Sequence, residues 1–169
     1  QSRDDNVTRS LSKFDLEDYR MVLSDLLVQM YHTIVKNLEH QIAPLLVPAL
    51  LDSDPIPGLS HTLKAIASPK RVVRSVDDVI KILIRTLDTL QRFQIGIKLI
   101  RQIFKQVFYL INASVVNSLL LRKDYCHWSR GMQVRYNLTR LEEWAREKHL
   151  DAACDMLIES GQITQLLQV

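Results

Sequence analysis

Four glycines and five prolines among 169 residues leave this chain few places to turn tightly. Those two residues punctuate hairpins and short strands, so a chain so poor in them folds from long, uninterrupted elements. Leucine and isoleucine dominate its apolar set, and alternation of β-branched with polar residues is scarce. Hydrophobic residues make up 47% of the sequence, enough for the core of one domain. The expected fold class is all-α, an elongated antiparallel helical bundle.

The spacing of apolar residues divides the chain. Residues 1–15 are polar and aperiodic and are expected to form a flexible N-terminal segment. From Leu16 to Leu38, Tyr19, Leu23, Leu26, Met30, Ile34 and Leu38 recur at helical spacing. Asp18, Asp25, Gln29, His32 and Lys36 fall opposite, which predicts an amphipathic helix with a wide buried stripe. Pro44 and Pro48 then interrupt an apolar stretch, and a kink or a second short helix is expected there. Asp52, Ser53, Asp54, Pro55, Pro57, Gly58 and Ser60 are turn chemistry and open a loop over about 52–75. Within it, Ser68-Pro69-Lys70 has the pattern of a proline-directed phosphorylation site, with Ser68 as the acceptor. An ordinary turn has the same letters.

Ser75 and Asp78 form a capping-box pattern before a helix whose apolar face carries Val76, Val79, Ile80, Leu83, Leu87 and Leu90. Gly96 separates it from a helix over Ile97–Leu121. That helix starts amphipathic, with Lys98, Arg101 and Lys105 outward, and becomes apolar nearly all round from Val107, as the central helix of a bundle does. The run Val107–Leu121 carries Asn112 and Asn117 and is shorter than the roughly 20 apolar residues a membrane span needs, so no direct membrane span is expected. Arg122 and Lys123 close the helix, where cations complement the helix dipole. A linker over Tyr125–Ser129 precedes a helix from about Arg130 to Lys148, striped by Val134, Leu138, Leu141 and Trp144. Glu142 and Arg146 stand four apart on it, in the favourable order for an ion pair. A last helix is expected over about Asp151–Leu167, packing through Met156, Leu157, Ile163, Leu166 and Leu167.

Charge and chemistry exclude several functions. The formal net charge of +3 is unevenly spread: residues 61–105 hold 10 basic and 3 acidic side chains. Such a stretch steers an acidic protein, a phosphate or an anionic lipid, or is a solvated polar face. Phe93 and Phe104, the aromatic residues among those cations, read as core, so no nucleic-acid interface is expected. There is no glycine-rich phosphate loop, and the five histidines stand apart, so neither cofactor, metal site nor enzyme activity is expected. Cys126 and Cys154 make no disulfide framework, and the polar start has no leader-like apolar run, which suits a cytoplasmic chain. The triplets at Asn6, Asn112 and Asn137 match the glycosylation pattern but are read as coincidence.

One stretch carries a resemblance. Leu119-Leu-Leu-Arg-Lys-Asp124, then Cys126-His-Trp-Ser-Arg-Gly-Met-Gln-Val-Arg-Tyr-Asn137, then Leu141-Glu-Glu-Trp144, resembles the signature of the class V myosin globular tail, the dilute domain. Gln106-Val-Phe-Tyr-Leu-Ile-Asn-Ala113, Pro57-Gly-Leu-Ser60 and Gln165-Leu-Leu-Gln-Val169 are similar to other parts of that family. The resemblance covers about residues 16–169 and implies a partial dilute-type helical domain, truncated on its C-terminal side. It implies a cargo-adaptor-binding and autoregulatory tail of an actin-based motor in vesicle transport. The implied partners are adaptor proteins, small GTPases and the myosin motor head, with dimerisation through a coiled coil outside this stretch. Lys123 matches the family's tail-to-head docking lysine, with Arg122 beside it. The looser stretch Ala145–Cys154 is also similar to dilute modules of Ras-binding cell-junction scaffolds.

Overall fold

A computed structural model describes residues 16–53 and 74–167, and among these residues every regular element is helical. The helices are α1 (Leu16–Leu46), α2 (Val76–Arg92), α3 (Ile97–Leu121), α4 (Trp128–Glu147), α5 (Asp151–Cys154) and α6 (Ile158–Leu166). A π-helical turn, Val47–Leu51, follows α1, and 3-10 turns occupy Lys123–Tyr125 and Asp155–Leu157. Residues 1–15, most of the expected loop, and Ser68 lie outside the described residues.

The chain divides into two compact units, Gln1–Ile34 and Val35–Val169. The described part of the first is the start of α1. Its apolar stripe departs from expectation: Tyr19, Leu23, Leu26 and Met30 are all exposed, Met30 by 59%. Periodicity records that a helix face is suited to burial; it does not supply the surface that buries it.

The second unit holds the core. Leu38, Ile42 and Leu46 on the last turns of α1 are buried. Pro44 lies inside α1 rather than ending it, and Pro48 falls in the π turn. The second short helix expected here is this π-helical turn, which takes Pro48 in its first turn. Ala49, Leu50 and Leu51 of that turn are fully buried.

The capping box of α2 forms as expected. The Asp77 amide donates to Ser75 Oγ at 3.3 Å, and the Ser75 amide donates to Asp78 Oδ2 at 3.1 Å. Val76, Val79, Leu83, Leu87 and Leu90 are buried, while Ile80 is half-buried. The helix ends at Arg92, before Gly96, with Gln94 taking a left-handed φ of 55°. Phe93, expected in the core, is 73% exposed because it caps that end, beyond the last buried position.

Helix α3 is the centre of the unit, packing on α5, α6, the turn between them and the π turn. Nine of its residues are buried, including Ile103, Phe104, Phe108 and Ile111. It is the one described helix long and apolar enough to cross a membrane, with mean hydropathy 1.3 over its most apolar window. Here its buried side chains are met by other elements, while Ile97, Leu120 and Leu121 at its ends are exposed. Phe104 and Phe108, early in α3, lie against Trp144, late in α4, with ring centroids 5.7 and 6.5 Å apart. At the other end of α3, the Leu119 carbonyl meets Cys126, just before α4 begins. The two helices therefore run antiparallel.

The C-terminal stretch is not one helix but α5, a 3-10 turn and α6. Leu166 is 75% exposed, and Ser160, Gly161 and Thr164 are buried where Ile163, Leu166 and Leu167 were expected. The reason is Asn112 on α3. It donates to Glu159 Oε2 at 2.9 Å and accepts from Ser160 Oγ at 2.6 Å and from the Ser160 amide at 3.0 Å. A buried amide must be satisfied, and a polar face of α6 satisfies it. Gly161 faces α4: a side-chain carbon there would stand 2.7 Å from Arg135 Nη1, the end of an exposed side chain that can swing aside.

Candidate functional site

The residues of the dilute-like signature fall into two groups. Tyr125, Arg130, Gln133 and Asn137 turn inward, toward the end of the π turn. Tyr125 donates its hydroxyl to Asp52 at 3.2 Å, and Arg130 Nη1 donates to the Leu51 carbonyl at 2.7 Å. Gln133 Nε2 donates to Ser53 Oγ at 3.2 Å. Asn137 Nδ2 reaches Ser53 Oγ and the Leu50 carbonyl, both at 2.9 Å. The last carbonyls of a helix have no partner within it, and Arg130 and Asn137 of α4 supply donors to those of Leu51 and Leu50. Burial, then the nearby Asp52 carboxylate, pushes the Tyr125 hydroxyl above its ordinary pKa. These residues position the site; sequence reading had only the motif to mark them, since their acceptors, main-chain carbonyls and the side chains of Asp52 and Ser53, lie far away in sequence.

The second group turns outward. Leu120, Leu121 and Trp128 are exposed, Leu121 by 80%, and flank Arg122 and Lys123. Arg122 lies over the Tyr125 ring, its guanidinium carbon 4.6 Å from the centroid. Lys123 begins the 3-10 turn, exposed, with no ion pair among those of the described residues. The two candidate docking residues thus share one corner but differ: one guanidinium is held on an aromatic ring, and one ammonium is exposed. Beside exposed apolar side chains, this corner suits a protein surface that offers a carboxylate next to an apolar patch.

A third feature was not anticipated. Between α1 and α3, within the second unit, is a cleft of about 130 Å³. Val35, Val107, Leu110 and Ala113 form its apolar walls, with Glu39 and Tyr109 also at its surface. Lys98, Arg101 and Lys105 lie along α3 beside it, all exposed as expected. Among the described residues no group of His, Cys, Asp or Glu is arranged to hold a metal ion. Cys126 is exposed, while Cys154 is partly buried, and burial raises its thiol pKa.

The described residues form an all-helical unit whose signature residues brace an irregular turn and whose outward corner is apolar and basic, the make-up of a surface suited to protein contact. Residues 102–169 match the family described as the DIL domain. Human unconventional myosin-Va is 43% identical over 168 residues, covering 94% of this chain and 9% of that protein. Mouse unconventional myosin-Vb is 39% identical over 169 residues, covering 92% of this chain and 9% of that protein. The solved structure "Myosin V cargo binding domain" aligns with a TM-score of 0.64 at 25% identity, over 80% of this chain and 32% of the other. "Structure of Myo2-GTD in complex with Smy1" aligns with a TM-score of 0.71 at 23% identity, over 92% and 39%. The chain belongs to the class V myosin globular tail family. It spans about a tenth of the length of the curated relatives it matches.

Proposed function

We propose that this chain is part of the cargo-adaptor-binding and autoregulatory tail of an actin-based class V motor, working in the cytoplasm on vesicles or organelles. The observation that carries the reading is the identity to myosin-Va across 94% of the chain, which takes in the whole signature segment. The adaptor part is supported by neighbours described as a myosin V cargo-binding domain and as tails in complex with Smy1 and Mmr1. Small GTPases and a coiled-coil partner chain belong to the same reading. The module itself carries no catalytic step; turnover belongs to a motor head elsewhere in such a protein.

Autoregulation is proposed to run through the corner at the end of α3. Lys123 offers a charge-assisted hydrogen bond to a carboxylate on the motor head, and Arg122, held on Tyr125, presents a second cation beside it. Contacts of this kind weaken as ionic strength rises. The test is Lys123→Ala in the full-length motor. The expected result is weaker inhibition of the motor ATPase without cargo, with the tail melting at an unchanged temperature. Unchanged inhibition, or a tail that simply melts earlier, would reject the docking role.

A further inference from the structure

Helix α3 has one face that nothing so far explains. Lys98, Arg101 and Lys105 are spaced at i, i+3 and i+7, so they form one stripe, and Tyr109 continues it one turn further. All four are exposed. No Asp or Glu occurs between Asp88 and Asp124, so α3 carries cations with no carboxylate of its own. None of the three cations has an ion-pair partner among the described residues. The cleft lies beside Tyr109, about 12 Å along the helix from the middle of the three cations at 1.5 Å per residue. Its volume of about 130 Å³ is close to that of a cavity that accepts a benzene ring, so it takes one apolar side chain.

We propose that this stripe and cleft are a docking surface for an acidic amphipathic helix from a partner protein. The inference rests on the adaptor-binding reading and says where, and by what chemistry, one class of adaptor binds. The occupant carries carboxylates on successive turns opposite Lys98, Arg101 and Lys105. About two turns away on the same face it carries one Leu, Ile or Met, which fills the cleft. Glu39 at the cleft makes the arrangement directional, because the occupant must be neutral or basic around its apolar anchor. The same carboxylate argues against an anionic membrane. A bilayer would place phosphates over Glu39 as well as over the lysines, and a concave cleft does not insert into lipid.

The test uses the full-length motor protein and a fluorescent synthetic helix with three Glu one turn apart and a Leu anchor. Its controls are the same peptide with Gln for Glu, the same peptide with Ser for Leu, and vesicles containing phosphatidylserine. The proposal expects the acidic Leu peptide to bind and each control peptide to bind more weakly. It expects Lys98→Glu/Arg101→Glu/Lys105→Glu to weaken binding by at least about tenfold, with unchanged helicity and melting. Ala113→Met, which fills the cleft, should cost the Leu peptide affinity and leave the Ser peptide unaffected. Equal binding to the charge-reversed protein would overturn the proposal. So would vesicle binding that needs the three cations in the absence of peptide binding. A purified myosin-V adaptor is assayed in parallel. An adaptor that still binds the charge-reversed tail removes this surface and leaves the adaptor reading intact. A tail that binds no adaptor removes that reading as well.

Discussion

The side-chain amide of Asn137, in the middle of α4, donates to the main-chain carbonyl of Leu50 at 2.9 Å, 87 residues away in sequence. The contact ties the signature segment to the π turn that ends α1. Asn137 is buried, and so are Leu50 and Ser53 beside it. Replacing Asn137 with Ala leaves the Leu50 carbonyl short of a donor inside the core, while Ser53 Oγ loses one donor and keeps that of Gln133. The expected loss is about 1–3 kcal/mol, read from urea unfolding. A change under about 0.5 kcal/mol would mean that water replaces the amide and that the brace contributes little.

Phe108 is fully buried and stacks on Trp144 with an interplanar angle of 19°. Phe108→Ala removes both the burial and the aromatic contact, and is expected to cost about 3–5 kcal/mol. Chemical denaturation checks this. A loss below about 1 kcal/mol would contradict the central position of α3.

The start of α2 makes a pH-dependent prediction. Asp78 has its pKa lowered from the ordinary 3.8, first by the hydrogen bond from the Ser75 amide and then by Lys81. A depressed carboxylate pKa adds stability above its unfolded value, and that stability is lost as pH falls through the lower folded value. Asp78→Asn should therefore be less stable than the parent near neutral pH, and the difference should close as pH drops below about 3.8. Ser75→Ala, which removes the other half of the box, should cost about 0.5–2 kcal/mol. Thermal melts across pH measure both, and a gap that persists in acid would assign the Asp78 effect to something other than charge.

Much of the fold was legible in the sequence because local physics decides it. Apolar spacing placed α3 at Ile97–Leu121, its bounds in the structure, and Ser75 with Asp78 marked the start of α2. Val134, Leu138, Leu141 and Trp144 were expected in the core of α4 and are buried there. Glu142 and Arg146 were expected to pair and lie 3.6 Å apart. Each of these depends on residues within a turn or two of one another, so a periodic pattern contains the information.

Only the tertiary structure decided the rest. Periodicity could assign Tyr19, Leu23, Leu26 and Met30 to one face, but not say that the described chain leaves that face exposed. It could count Phe93 as apolar, but not see that the helix stops one residue before it. The last stretch looked like a single apolar-faced helix, yet the buried Asn112 amide draws Ser160 inward. The role of Asn137 depends on the Leu50 carbonyl and the Ser53 hydroxyl, which only the fold brings to it from 87 and 84 residues away in sequence. The cleft beside Tyr109 was equally hidden, since Val35 and Glu39 come from α1 and its other lining residues from α3. Helical spacing is set by covalent neighbours, and the sequence contains it; partners, clefts and the satisfaction of buried polar atoms are set by which helix faces meet.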